Sequence, residues 1–175
     1  MHIQEQRPQL DHMLRQTRMN LVNFSQMADT KAHILLSISA VLLSLSISRL
    51  SEPHFVYSVA ALVLFLLITI FFALLTVIGK VKVFGQRKHS ISDPDYSPLF
   101  YGNFGDIPYE TYAQDFAETM NDADKTYEIM VKDIYYAGTY LLKTKYKYIR
   151  LAYLYFFVGL ILSTAIYFIQ NILLF

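Results

Sequence analysis

The side chains able to do chemistry in this chain are few and scattered. Five histidines, His2, His12, His33, His54 and His89, share no ligand spacing. With no cysteine there is no thiolate zinc site, iron–sulfur cluster, disulfide framework or cysteine nucleophile. Asp115, Glu118 and Asp122 recur at helical spacing and suit either a divalent cation or, more simply, a solvated acidic face. No serine sits in a nucleophile-elbow motif beside a base. Gly102 and Gly105 flank an Asn-Phe pair without the Lys-Ser or Lys-Thr of a phosphate loop. These absences point away from an enzyme, so no catalytic residue, metal or cofactor is expected.

What remains is Asp29 and Lys31 in ADTKAH, at the mouth of an apolar run, where ionisable groups need partners or water. Lys31 has two readings. It is an interfacial lysine whose stem lies along apolar surface, or, beside Asp29 and with Lys145 or Arg150 at similar depth, it receives an anionic ligand. Tyr101, Phe104 and Tyr112 would then stack on a nucleobase face, or else form the apolar core of a loop.

The elements that must position these residues are unusually apolar. Of 175 residues, 54% are hydrophobic and 17% charged, against roughly 25% charged in an ordinary soluble domain. A formal charge of +1 excludes recruitment to nucleic acid by bulk charge. Phe55 to Gly79 and Leu151 to Phe175 are uncharged stretches of twenty-five residues each, and about twenty suffice to cross a bilayer. Ala32 to Ser48 is shorter and carries five serines. The turn-length LSEPHF at 50–55, with Pro53, joins it to the next span as a membrane hairpin.

Fourteen of the fifteen Lys and Arg residues fall on one side of this arrangement, Arg49 being the exception. Such retention of positive charge places the N-terminus and the 80–149 segment in the cytoplasm and the C-terminus at the far face. About thirty mostly polar residues before the first apolar run disfavour a cleaved signal peptide. Residues 93–133 hold ten acids and only Lys125 and Lys132, a local charge of −8 between basic collars that sit toward anionic lipid.

Two helical stripes stand out. Leu10, Leu14, Thr17, Leu21, Phe24 and Ala28 form one; Phe116, Met120, Ala123, Tyr127, Met130, Ile134, Ala137 and Leu141 form the other. They want each other, or copies of themselves. No Pro or Gly interrupts Gln9 to Leu50, and only Gly138 interrupts the chain between Tyr109 and the last span. The last helix is thus expected to run about sixty-five residues, roughly 95 Å, with Gly138 as a flex point. His89 to Tyr109, rich in Pro, Gly and aromatics, reads as a packed cap or a pocket lining. In the first span Ser37, Ser44 and Ser48 with Ala40 share one side, while Ser39 and Ser46 lie almost opposite. Small hydroxylated faces suit close packing within one subunit, a subunit interface or a pore lining.

The expectation is an all-α membrane protein: three transmembrane helices, long cytoplasmic helical extensions, and a packed loop between the second and third spans. Its parts are a cytoplasmic amphipathic helix at 1–31 continuing into the membrane and a hairpin at 32–79, with spans of about 32–50 and 55–79. A cytoplasmic loop and long helix at 80–149 and a third span at 150–175 complete it.

ADTKAHILLSIS at 28–39, PLFYGNFGDI at 98–107 followed by ETYAQDF, and KDIYYAGTYLLKTKYKYIRLAY at 132–153 resemble, in this order, the membrane effector family of bacterial Pycsar anti-phage systems. The resemblance covers most of the chain. It implies that a neighbouring pyrimidine cyclase makes cyclic CMP or cyclic UMP on infection, and that the effector responds by impairing the inner membrane, killing the cell. The partners implied are the bilayer, the cyclic nucleotide and further copies of the chain as a homo-oligomer. Asp29 and Lys31 match an Asp-x-Lys pattern of the family, and Tyr112 and Lys145 match its Tyr and Lys positions. The competing classes are a membrane scaffold that docks a cytoplasmic partner and a small channel or transporter, the last disfavoured by spans without charge or Gly/Pro interruption at mid-depth.

Overall fold

Pro8, whose fixed φ suits a first helical turn, opens α1 (Pro8–Arg49), which then runs unbroken. The computed structural model describes residues 8–50, 52, 55–78, 98–99, 104 and 107–173. The other helices are α2 (Val56–Ile78), α3 (Tyr109–Asn121), α4 (Ala123–Tyr140) and α5 (Lys147–Leu173), with a π-helical stretch at Leu141–Tyr146 between the last two. No strand occurs among the described residues. Three stretches, Pro8–Arg49, Val56–Ile78 and Ala123–Ile172, are helical, long and apolar enough to cross a membrane. The chain is an all-α, multi-pass membrane protein.

It divides into two units, one of Phe24–Lys80 with Leu141–Phe175 and one of Met1–Asn23 with Val81–Tyr140. In the first unit α2 and α5 run antiparallel, as the ring pairs Phe55–Tyr167, Phe65–Tyr155 and Phe72–Tyr148 show. α1 lies parallel to α5. Its buried residues Ala28, Ala32, Leu35, Ser39 and Ser46 step by four, three, four and seven, a seam of coiled-coil period. Ala32, Leu35, Ala73, Ile149 and Ala152 form the core where the three helices meet. Small residues dominate because, between helices in lipid, close backbone approach is what gains dispersion energy. Gly159 marks a close approach of α5 to α2: a Cβ there would collide with the Cβ of Phe65.

The interior of this unit is hydroxylated and its exterior apolar. Ser58, Thr69 and Thr76 on the buried face of α2 donate to the carbonyls of Phe55, Phe65 and Phe72, which satisfies them without a neighbour. Outward stand Val41, Leu45, Phe71, Phe157 and Ile161, a surface suited to lipid rather than water. The two serine faces of α1 separate accordingly. Ser39 and Ser46 are buried, whereas Ser37, Ala40, Ser44 and Ser48 are exposed.

In the second unit the start of α1 pairs in parallel with α4: Asp11 meets Tyr127, Arg18 meets Asp133, and Leu21 lies 3.7 Å from where a Gly138 Cβ would stand. The two stripes therefore find each other within one chain, with two departures. The helix expected from Tyr109 onward breaks at Asp122, whose backbone is extended and whose carboxylate caps α4 by accepting from the Lys125 amide at 3.2 Å. Thr126 Oγ1 closes the break by bonding the Thr119 carbonyl at 2.7 Å. The stripe does not carry across the break: Met120 before it is exposed while Tyr127 after it is buried. On α1, Phe24 is likewise exposed. Gly138 itself lies within α4, and the helix changes to a π turn at 141–146.

Candidate functional site

The π turn places Lys145 where a regular helix would not, since it inserts one extra residue into the turn. Lys145 is 8% exposed. Its ammonium donates to both carboxylate oxygens of Asp29 at 2.7 Å and to Ser25 Oγ at 2.8 Å. All three protons are thereby used, which is how a nearly buried cation escapes the penalty of lost water. Beside this cluster Tyr153 donates weakly, at 3.5 Å, to the backbone carbonyl of Lys31. The side chains of Lys31 and Arg150 are exposed. Of the residues singled out for ligand capture, Asp29 and Lys145 thus come together, while Lys31 and Arg150 remain exposed cations of the same unit.

The aromatic candidates belong to the other unit. Phe104 and Tyr112 have ring centroids 4.9 Å apart, and Tyr112 continues the stack to Phe116 at 5.5 Å. The Tyr112 hydroxyl donates to the carbonyl of Pro98, itself buried, at 3.1 Å. These rings hold loop residues onto α3. Tyr101 lies outside the described residues. Asp115 and Glu118 stand on α3, where partial burial, with a push from the Glu118 charge and an opposing pull from Lys125, raises the Asp115 carboxyl above its ordinary value. Asp122 caps α4 instead of joining them. Among the described residues no group of three or more His, Asp or Glu is placed to hold a metal ion.

Between the start of α1 and α4 lies a cleft of about 550 Å³ that the sequence reading did not pick out. Arg15 and Arg18 line it with Asp133, over walls that include Leu14, Met19 and Met130. Arg18 Nη1 pairs with Asp133 Oδ2 at 3.2 Å, while Arg15 makes no ion pair among the described residues. Burial pushes the Asp133 carboxyl up, and Arg18 opposes this only in part. At the cleft's edge the Tyr127 hydroxyl donates to Asp11 Oδ1 at 2.6 Å. That bond, then burial and the Asp11 charge, hold the phenol above its usual range. The signal for this site was available: Arg18 and Asp133 flank two complementary apolar stripes, where opposite charges set helix pairing.

A family model described as the Pycsar effector protein domain matches residues 12–170. No curated protein and no solved structure matches the chain.

Proposed function

The chain belongs to the Pycsar effector family, a membrane effector of anti-phage defence, and on that premise we propose that a cyclic pyrimidine nucleotide, cyclic CMP or cyclic UMP, activates it to impair the bacterial inner membrane. A ligand that binds one packing of the helices better than another shifts the population toward that packing. The observation that carries this reading is α1 itself. One unbroken helix holds Asp11, Arg15 and Arg18 near its start and a buried small-residue seam, with an apolar exposed face, through its later half. Strain at one end of a continuous helix has no hinge in which to dissipate.

In this reading the effector acts without catalysis. Activated copies associate through their membrane helices, the exposed Ser37, Ala40, Ser44 and Ser48 supplying a face for close packing or for a wet seam. Asp29, Lys31, Lys145 and Arg150 are the response group of the membrane unit. Lys31 and Arg150 are open to an anion, whereas Lys145 must first leave Asp29. The N-terminus and the 80–149 segment face the cytoplasm, where the nucleotide is made.

The test is dye entry and depolarisation in bacterial cells expressing the chain and supplied with cyclic CMP or cyclic UMP. Leak with one of them is expected. No leak with either, at normal membrane insertion, overturns the proposal and favours a scaffold that docks a partner.

A further inference from the structure

We infer that the cleft between the start of α1 and α4 is the receptor for the activating ligand, a small organic phosphate of mononucleotide size whose phosphate lies on Arg15 and Arg18 and whose flat body lies on Met19 and Met130. This rests on the reading that such a molecule activates the chain, and adds where it binds. Four features converge on this chemistry. Two guanidinium forks one helical turn apart, at positions 15 and 18, match the oxygens of a phosphate as a lone ammonium does not. One of them, Arg15, has no ion-pair partner among the described residues. The cleft's volume of about 550 Å³ lies within the range of small-molecule sites. Thioether and aliphatic walls suit an apolar ring, since methionine adapts its shape and contacts aromatic faces favourably.

The site also contains its own trigger. Arg18 is held by Asp133 across the two helices at 3.2 Å, so a phosphate that engages Arg18 competes with the bond that ties α1 to α4. The carboxylate released is nearly buried, 7% exposed, and burial already favours its neutral form. It can take up a proton instead of keeping the cation. Binding therefore converts the ion pair between helices into a phosphate contact on α1, leaving only the apolar contact at Met130 on α4, and α4 is freed to shift.

The test measures binding of cyclic CMP and cyclic UMP to the full chain in detergent, for wild type and for Arg15→Ala, Arg18→Gln, Asp133→Asn, Lys147→Ala and Lys31→Ala. Each arginine variant should weaken binding about tenfold or more, the usual scale of a charge-assisted bond. Asp133→Asn, which removes the competing carboxylate, should tighten it several-fold. Lys147→Ala, at an exposed cation outside the cleft, should leave it unchanged, whereas Lys31→Ala distinguishes this cleft from the membrane mouth. Unaltered helical circular dichroism keeps loss of folding apart from loss of binding, and the tightening by Asp133→Asn is a gain that misfolding does not produce. Wild-type binding that is insensitive at Arg15 and Arg18, or lost in Lys31→Ala, overturns this inference and leaves the activating nucleotide in place. If wild type binds neither nucleotide, the activation reading itself fails.

Discussion

Lys145 commits one ammonium to three acceptors, and the cost of disturbing it depends on which partner is left behind. Lys145→Met leaves Asp29, about one-third exposed, without its cation. The expected loss is roughly 2 kcal/mol, below the 3–5 of a fully buried orphan because water reaches the carboxylate. Lys145→Met with Asp29→Leu should recover most of it, measured as the thermal midpoint in detergent; equal losses in the single and double variants would show that the pair's charges do not matter. Asp133 makes a pH prediction. Its folded carboxyl is raised above an unfolded value of about 4, so folding favours the protonated form. The contribution is present below about pH 4 and lost as pH rises through the folded value. Asp133→Asn fixes the neutral state. Melting temperature should then fall less between about pH 4 and pH 7 in the variant than in wild type, and a steeper fall would contradict the raised value.

At the scale of elements, the decisive features are interruptions. Asp122→Ala removes the carboxylate that caps α4 and should cost about 1 kcal/mol, read as a lower midpoint. Gly159 is more severe, since any Cβ meets Phe65. Gly159→Ala should cost roughly 1–3 kcal/mol of overpacking, read as a lower midpoint, and Phe65→Gly, which removes the Cβ it meets, should return part of it in that background; simple addition of the two losses would place the contact elsewhere. These interruptions also explain what the residue pattern could and could not reveal. Long uncharged runs made α2 and the membrane part of α5 legible, because length and polarity alone decide membrane crossing. Absence of Pro and Gly made α1 legible as one helix. The break at Asp122 was signalled by an Asp cap followed by an acid in the first turn, Asp124, yet a stripe that matched helical spacing on both sides masked it. The π turn has no signature residue, so the meeting of Asp29 with Lys145 was reachable only as a shared depth. Arg18 and Asp133 sit on helix flanks far apart in sequence, where a charge looks like any solvated one until the two helices lie side by side.

For the whole molecule, polarity is inverted relative to a soluble protein in one unit and ordinary in the other. Phe24–Lys80 with Leu141–Phe175 buries alanines and hydroxyls and exposes leucines, isoleucines and phenylalanines, as a lipid solvent requires. Met1–Asn23 with Val81–Tyr140 buries Leu14 and Tyr127 and pairs Arg18 with Asp133, as water requires. The division between the units falls within α1, after Lys80 and after Tyr140. The direction we propose rests on charge: Lys143, Lys145, Lys147 and Arg150 follow Tyr140 and Lys80, Lys82, Arg87 and Lys88 follow α2, while Arg49, tied to Glu52 at 2.6 Å, stands alone in the other turn. Reporter fusions should therefore show the N-terminus and positions between 81 and 97 in the cytoplasm and the C-terminus across the membrane. Exchanging Lys80, Lys82, Arg87 and Lys88 for Gln should reduce that asymmetry without changing the helices. The opposite orientation in wild type would put the arginine cleft out of reach of a nucleotide made inside the cell. In that case no change at Arg15 or Arg18 would alter a response to it, whatever affinity the isolated chain shows.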